Sequence, residues 1–162
     1  MEKHNSTKNV ALVSIWAALY AVLTYVFAPI SFQALQFRVA DILPPSIAKK
    51  WILAVGYAIG CVVANIFSPF VGPWELVFMP IMSFVAGILG YLAAKLSSKW
   101  DYYICGVVHA VVISGAVTYM LCALFALPAL ETFVLILVSE LILGLVGATL
   151  FKLIEKRWVW WG

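Results

Sequence analysis

Charge is scarce in this sequence. Charged residues make up 10% of the 162-residue chain, whereas 65% of its residues are hydrophobic. A soluble domain carries roughly 25% charged and about 45–50% apolar residues. This scarcity excludes an ordinary soluble domain and indicates a membrane protein. The length suits one compact bundle, so we expect an all-α, multi-pass membrane fold in which residues 1–162 form a single domain.

Three kinds of functional motif are also missing from the sequence: metal-binding, nucleic-acid-binding and catalytic motifs. The cysteines, Cys61, Cys105 and Cys122, lie inside apolar runs without zinc-motif spacing, which predicts reduced, buried thiols and no metal site. Basic residues occur singly or in pairs, a pattern that does not indicate nucleic-acid binding. No glycine-rich phosphate loop of the Walker type occurs, and no catalytic serine–histidine pair shares a helix face. We therefore expect no cofactor, and any uphill transport must draw ATP hydrolysis from a partner.

The apolar residues fall into six segments separated by prolines, lysines and polar turns. A membrane-spanning helix needs about 20 predominantly apolar residues. The second segment is short, and two consecutive prolines bend or interrupt it. The first is too long for the apolar part of a signal peptide, so we retain it as a span. The predicted spans cover about 9–30, 35–48, 51–68, 74–95, 102–127 and 131–155.

The distribution of basic residues predicts the orientation. Six spans place both termini on one side, and nine of the ten Lys and Arg residues then fall on that side. The positive-inside rule makes it the cytoplasm. Arg38 is the exception, and Asp41, three residues later, can pair with it on one helix face. The outer half carries four acids against one base, which favours a cationic or hydrogen-bond-donating solute.

Glu140 is the acidic residue predicted to lie deepest. It follows about nine residues of the last span, a depth of ~13 Å and close to the bilayer centre. Ser139, Gly144 and Gly147 lie near the same helix face, where small residues permit close packing or leave room for a ligand. Glu140 is either a protonated residue that joins helices or a contact to a ligand or ion, and we favour the latter.

Other polar and aromatic residues each allow two interpretations. Glu75 either complements a helix dipole or binds a ligand. Trp74 is an interfacial anchor or a stacking wall for a flat ring. Asn65 caps a helix or bonds a ligand edge, His109 packs internally or contacts ligand, and Tyr119 is a further candidate for the pocket lining.

The first span carries two parallel patches of small residues. Ala17 and Ala21 form one patch, and Ser14 and Ala18 form the other. Small residues four apart allow a second helix to approach closely. These patches predict a helix-packing surface.

Three stretches carry a resemblance to a known family. The block AALYAVLTYVFAPISFQALQFRVADILP resembles the first-span, first-loop and second-span region of the QueT family, and GCVVANIFSPFVGPWELVFMP and SELILG resemble later parts of it. The resemblance implies a six-helix S component of an energy-coupling factor (ECF) transporter, in a prokaryotic plasma membrane. It also implies docking on a T subunit that carries two ATPases. Ala17 and Ala21 would form the docking surface, with Ser14 and Ala18 beside it, and the loop at about 29–37 would act as a lid.

The resemblance also implies the solute, a queuosine precursor such as prequeuosine-1. Glu140 would read the guanine-like edge, and Glu75 with Trp74 would hold the amine or stack the ring. Asn65 and Gln36 would supply further polar contacts, and Arg38 would anchor the lid with Asp41. Three alternatives stay open: an S component for another vitamin or nucleobase, a small intramembrane enzyme that uses Glu75, His109 and Glu140, and a purely structural subunit.

Overall fold

The computed structural model describes residues 2–31 and 37–161, with side chains from Ser6 onward. These two ranges form helices and connecting turns and contain no strand. The expected all-α, multi-pass membrane fold is confirmed. Four helices are long and apolar enough to cross a membrane: Ser6–Val26, Trp74–Ala94, Asp101–Phe125 and Ala129–Glu155.

The helices follow one another with short connections. Helix α1 is followed by the single turn α2, by two 3-10 helices, and by α3 to α6, of which α4 begins with a π-helical turn. Their bounds are Glu2–Val26 (α1), Ala28–Ser31 (α2), Val39–Ile42 and Pro44–Lys49 (3-10), Leu53–Asn65 (α3), Trp74–Phe78 (π), Met79–Ala94 (α4), Asp101–Phe125 (α5) and Ala129–Glu155 (α6).

The second predicted segment differs in form from a single helix. Its described part consists of the two 3-10 helices, because Pro44 and Pro45 have no backbone N–H to continue a regular helix. Helix α3 has 13 residues and is therefore ~20 Å long, shorter than the ~30 Å hydrocarbon core. That these two segments cross the membrane stays a prediction.

The 3-10 helices lie in the interior of the bundle. Ala40 and Ile47 are completely buried. The chain passes so close to α6 that a Cβ atom at Gly147 would overlap the carbonyl oxygen of Ile42. Gly144 similarly faces Gly106 of α5, where an added Cβ would lie 3.3 Å from the Gly106 carbonyl oxygen. Both glycines of α6 therefore serve close backbone packing.

One end of the bundle carries most of the described basic residues, and we call it the basic end. There the Lys49 ammonium group lies 2.7 Å from carboxylate oxygens of both Asp101 and Glu155. Lys50 donates a hydrogen bond of 3.3 Å to the carbonyl oxygen of Trp161. These contacts join the second 3-10 helix to the start of α5 and the end of α6.

Candidate functional site

Five buried polar side chains meet inside the bundle. Each is at most 6% exposed, and each lies in a largely apolar part of the sequence. They reach the same place from α1, from the beginning of the 3-10 region, from α3 and from the middle of α6. We call this group the polar cluster: Tyr20, Arg38, Asp41, Tyr57 and Glu140.

Hydrogen bonds connect the members of the polar cluster. The Tyr57 hydroxyl donates to the Asp41 carboxyl group, which also hydrogen bonds with Tyr20 and Glu140. Arg38 Nη1 donates to the Tyr20 hydroxyl oxygen at 3.2 Å. A bond between two carboxyl groups requires a proton on one of them, because an ionised carboxylate only accepts. We therefore expect Asp41 and Glu140 to share one proton.

The polar cluster lines a small internal cavity. The remaining wall consists of Met79, Ser83, Ile113 and Val117, and the cavity volume is about 10 Å³. This is close to the space that a single water molecule requires. A solute with a bicyclic ring is much larger, so its binding requires the surrounding side chains or helices to move.

A second buried polar pair lies where α3 ends and the π turn begins. The N–H of Met79 bonds to the Trp74 carbonyl oxygen, five residues back. The next residue, Pro80, has no N–H, so the Glu75 carbonyl oxygen has no helical donor. Asn65 Nδ2 fills this position with a hydrogen bond of 2.8 Å. Asn65 is therefore partly a structural residue that supports the π turn.

This pair also offers free acceptors. Glu75 is 1% exposed and Asn65 is completely buried. Glu75 Oε2 and Asn65 Oδ1 have no hydrogen-bond partner within the described ranges. A buried acceptor left without a donor costs about 1–3 kcal/mol, so these two atoms have a strong tendency to accept a hydrogen bond from a ligand.

Comparison with known proteins identifies the family. Residues 10–156 match the family model described as QueT transporter. The chain belongs to the QueT transporter family. No curated protein and no solved structure gives a significant match. Family membership makes transport, rather than catalysis, the role of this membrane protein.

In this QueT family member, three of the predicted site residues come together. Arg38, Asp41 and Glu140 all line the cavity. Arg38 was predicted to anchor the lid with Asp41. Its side chain is buried in the bundle, at the start of the 3-10 region, and the anchoring role stays a prediction. Gln36, and most of the predicted lid at 29–37, lie outside the described residues.

The other predicted aromatic contacts lie away from the cavity. Trp74 contacts the rings of Phe78 and Tyr119, at 5.2 and 5.7 Å between centroids. Tyr119 is 61% exposed, so this aromatic group faces the outside of the bundle. His109 is buried and packs edge-on against Tyr57, 5.0 Å away, and its Nε2 has no partner in the described part of the chain.

The two small-residue patches of α1 have different surroundings in this transporter. Ala17 is buried against α3, where its carbonyl oxygen would lie 2.9 Å from a Cβ added at Gly60. Ala21 borders a surface groove between α1 and α3. Ser14 and Ala18 are exposed. Docking of a partner on α1 stays a prediction, and Ser14 and Ala18 are the more accessible patch.

Sequence reasoning missed three polar residues of the cavity wall, namely Tyr20, Tyr57 and Ser83. One signal was present in the sequence. Tyrosine in membrane proteins is enriched at the interfaces, where its hydroxyl reaches water. Tyr20 and Tyr57 instead lie well within apolar segments, and a buried tyrosine hydroxyl usually has a polar partner. Their positions thus indicated an internal polar group, although not its other members.

Proposed function

We propose that this protein is the substrate-binding S component of an ECF-type importer and captures a queuosine precursor, a prequeuosine-1-like deazapurine, from outside the cell. The observation that carries the proposal is the polar cluster, which gathers two carboxyl groups and a guanidinium group around a cavity within a membrane bundle. Ionisable groups at such depth are costly and mark solute or ion pathways.

The carboxyl groups suit the edge of the proposed solute. A guanine-type edge presents two adjacent N–H donors, and one carboxylate accepts both in parallel. Charge-assisted hydrogen bonds of this kind contribute about 1.5–3 kcal/mol each. We assign the edge contact to Glu140, because its carboxyl group lines the cavity from α6 and lies against the carboxyl group of Asp41.

The protonated aminomethyl group of the solute needs acceptors of its own. Glu75 Oε2 and Asn65 Oδ1 are buried acceptors without partners in the described ranges. We assign the amine to this pair. Trp74 packs beside Phe78 and Tyr119 on the outside of the bundle. We therefore do not assign Trp74 to stacking on the ring of the solute.

Energy coupling requires partners in this proposal. The sequence has no Walker-type loop, so a T subunit with two ATPases would supply ATP hydrolysis. The protein would lie in a prokaryotic plasma membrane with the basic end in the cytoplasm, as the positive-inside rule predicts.

Substitution of Glu140 tests the solute assignment. We expect Glu140→Gln to weaken prequeuosine-1 binding at least roughly tenfold in titration calorimetry of the detergent-purified protein, because an amide replaces one acceptor by a donor. Glu131→Gln is the matched control, since Glu131 is exposed on the same helix. Unchanged affinity in Glu140→Gln, with normal folding, would show that the edge contact is assigned wrongly.

A further inference from the structure

A basic cavity opens on the protein surface where α5 begins and α6 ends. Its volume is about 300 Å³. Three lysines, two aromatic residues and a threonine contribute to its wall. We call it the lysine pocket, after Lys99, Lys152 and Lys156, which line it together with Trp100, Tyr103 and Thr149.

Contacts within the lysine pocket position the ammonium group of Lys152. Lys152 donates a hydrogen bond to the carbonyl oxygen of Lys99, and its ammonium group lies 5.8 Å from the ring centres of both Trp100 and Tyr103. The hydroxyl groups of Tyr103 and Thr149 are 3.2 Å apart and join α5 to α6. Three lysine side chains line this one cavity, and like charges that share a cavity repel one another and favour an anion.

Acidic residues near the lysine pocket do not neutralise it. Asp101 and Glu155 are close in sequence, but both form ion pairs with Lys49 at 2.7 Å. The described wall itself contains no acidic residue. The pocket thus has a formal charge of +3 from its three lysines.

An apolar surface continues from the lysine pocket along both helices. By helical spacing, Val107 and Val111 follow Tyr103 on one face of α5, and Leu145 and Ile142 precede Thr149 on one face of α6. All four apolar side chains are exposed. The α5–α6 surface therefore presents a cationic, hydrogen-bonding end followed by an apolar strip, which matches a lipid headgroup followed by acyl chains.

We propose that the lysine pocket binds the phosphate headgroup of an anionic phospholipid, whose acyl chains lie along the apolar strip of α5 and α6. Basic pockets between membrane helices on the cytoplasmic side recognise such headgroups. Trp100 and Tyr103 are suited to the headgroup level, where aromatic residues concentrate. The apolar continuation favours a lipid over an acidic protein segment or free phosphate, because neither of these has acyl chains.

Titration of the full chain with lipid in neutral detergent tests the proposal. Native mass spectrometry counts the lipid molecules that stay bound. We expect dioleoyl phosphatidylglycerol to bind in preference to dioleoyl phosphatidylcholine. The variant Lys99→Gln/Lys152→Gln should bind phosphatidylglycerol roughly tenfold more weakly with unchanged binding of phosphatidylcholine. Lys8→Gln/Lys95→Gln, which removes equal charge from exposed positions outside the pocket, should retain the preference.

Three outcomes would overturn the proposal. Equal binding of the two lipids to the original protein would do so, as would an equal loss of phosphatidylglycerol in both double variants. Displacement of the lipid by inorganic phosphate at the same concentration would make this a site for free anions. Tighter binding of polyglutamate than of phosphatidylglycerol, lost only in Lys99→Gln/Lys152→Gln, would identify an acidic protein segment as the occupant.

Discussion

The carboxyl groups of Asp41 and Glu140 are hydrogen bonded to each other inside the bundle, although the two residues belong to distant parts of the sequence. Such a bond exists only while one of the two groups is protonated. With one shared proton, Arg38 would balance the remaining negative charge, and the polar cluster as a whole would have no net formal charge. A solute that donates hydrogen bonds to Glu140 competes directly with this shared proton.

Solute binding should therefore release a proton. If Glu140 accepts two N–H donors of a deazapurine, it must bind as a carboxylate, and the shared proton leaves the site. We expect the heat of prequeuosine-1 binding to vary with the ionisation enthalpy of the buffer, and the affinity to rise with pH. In Asp41→Asn the shared proton is absent, and the buffer dependence should disappear. Buffer-independent heats in the original protein would contradict a shared proton.

Removal of Arg38 distinguishes a role in solute capture from a purely structural role. Arg38→Ala leaves the acidic groups of the cluster without their buried counter-charge, and breaking such a pair costs about 3–5 kcal/mol. We expect a lower melting temperature and a faster dissociation rate of the solute, measured by stopped-flow fluorescence. Arg38→Lys keeps the positive charge, so its melting temperature and its solute dissociation rate should lie between those of Arg38→Ala and the original protein. Normal dissociation kinetics with reduced folding yield alone would support the structural role.

The close approach of the 3-10 region to α6 can be tested at Gly147. A Cβ atom there would overlap the Ile42 carbonyl oxygen, so Gly147→Ala should lower stability by roughly 1–3 kcal/mol through overpacking. Gly115→Ala on α5 is the control, because outside the local backbone of α5 no atom of the described residues lies within 4 Å of an added Cβ. Alanine there should leave stability unchanged or raise it by up to ~1 kcal/mol. Thermal unfolding in detergent measures the stability of both variants. If Gly147→Ala and Gly115→Ala had equal melting temperatures, the packing described would be contradicted.

Partner docking on α1 can be separated from solute binding. Ser14 and Ala18 are exposed on α1, so Ser14→Leu/Ala18→Leu should block close helix approach without reaching the cavity. We expect this variant to lose co-purification with a T subunit and its ATPases while its solute affinity stays normal. Ala123→Leu, at an exposed position of α5, should retain both. Full co-purification of the α1 variant would place the docking surface elsewhere.

The apolar runs made the fold class predictable from sequence. Backbone N–H and C=O groups cannot bond to lipid, so long apolar segments in a membrane form helices that pair these groups internally. Glu140 lies near the middle of the last helix, as its place in the sequence indicated, and it is buried there. Its depth in the bilayer stays a prediction. The two prolines of the second segment predicted an interruption. They did not reveal that the interrupted chain would turn inward and bring Arg38 with it.

Contacts between distant segments were beyond sequence reasoning. The meeting of Asp41 with Glu140 depends on the packing of the 3-10 region against α6, which no local periodicity encodes. Trp74 and Glu75 illustrate a related limit, because neighbours on a helix point in different directions. Glu75 is buried, whereas Trp74 packs with the exposed Tyr119. The π turn that orients both depends on Pro80 and on an amide from α3.

The 3-10 region has a mechanical consequence. One end of this short stretch holds Asp41 against Glu140, and the other end holds Lys49 against Asp101 and Glu155 at the basic end. Between them the backbone is clamped by α6 at Gly147 and stiffened by two prolines. The 3-10 region therefore connects the polar cluster inside the bundle with the basic end. If a bound solute moves Asp41, we expect the 3-10 region to carry that movement to Lys49, which joins the start of α5 to the end of α6.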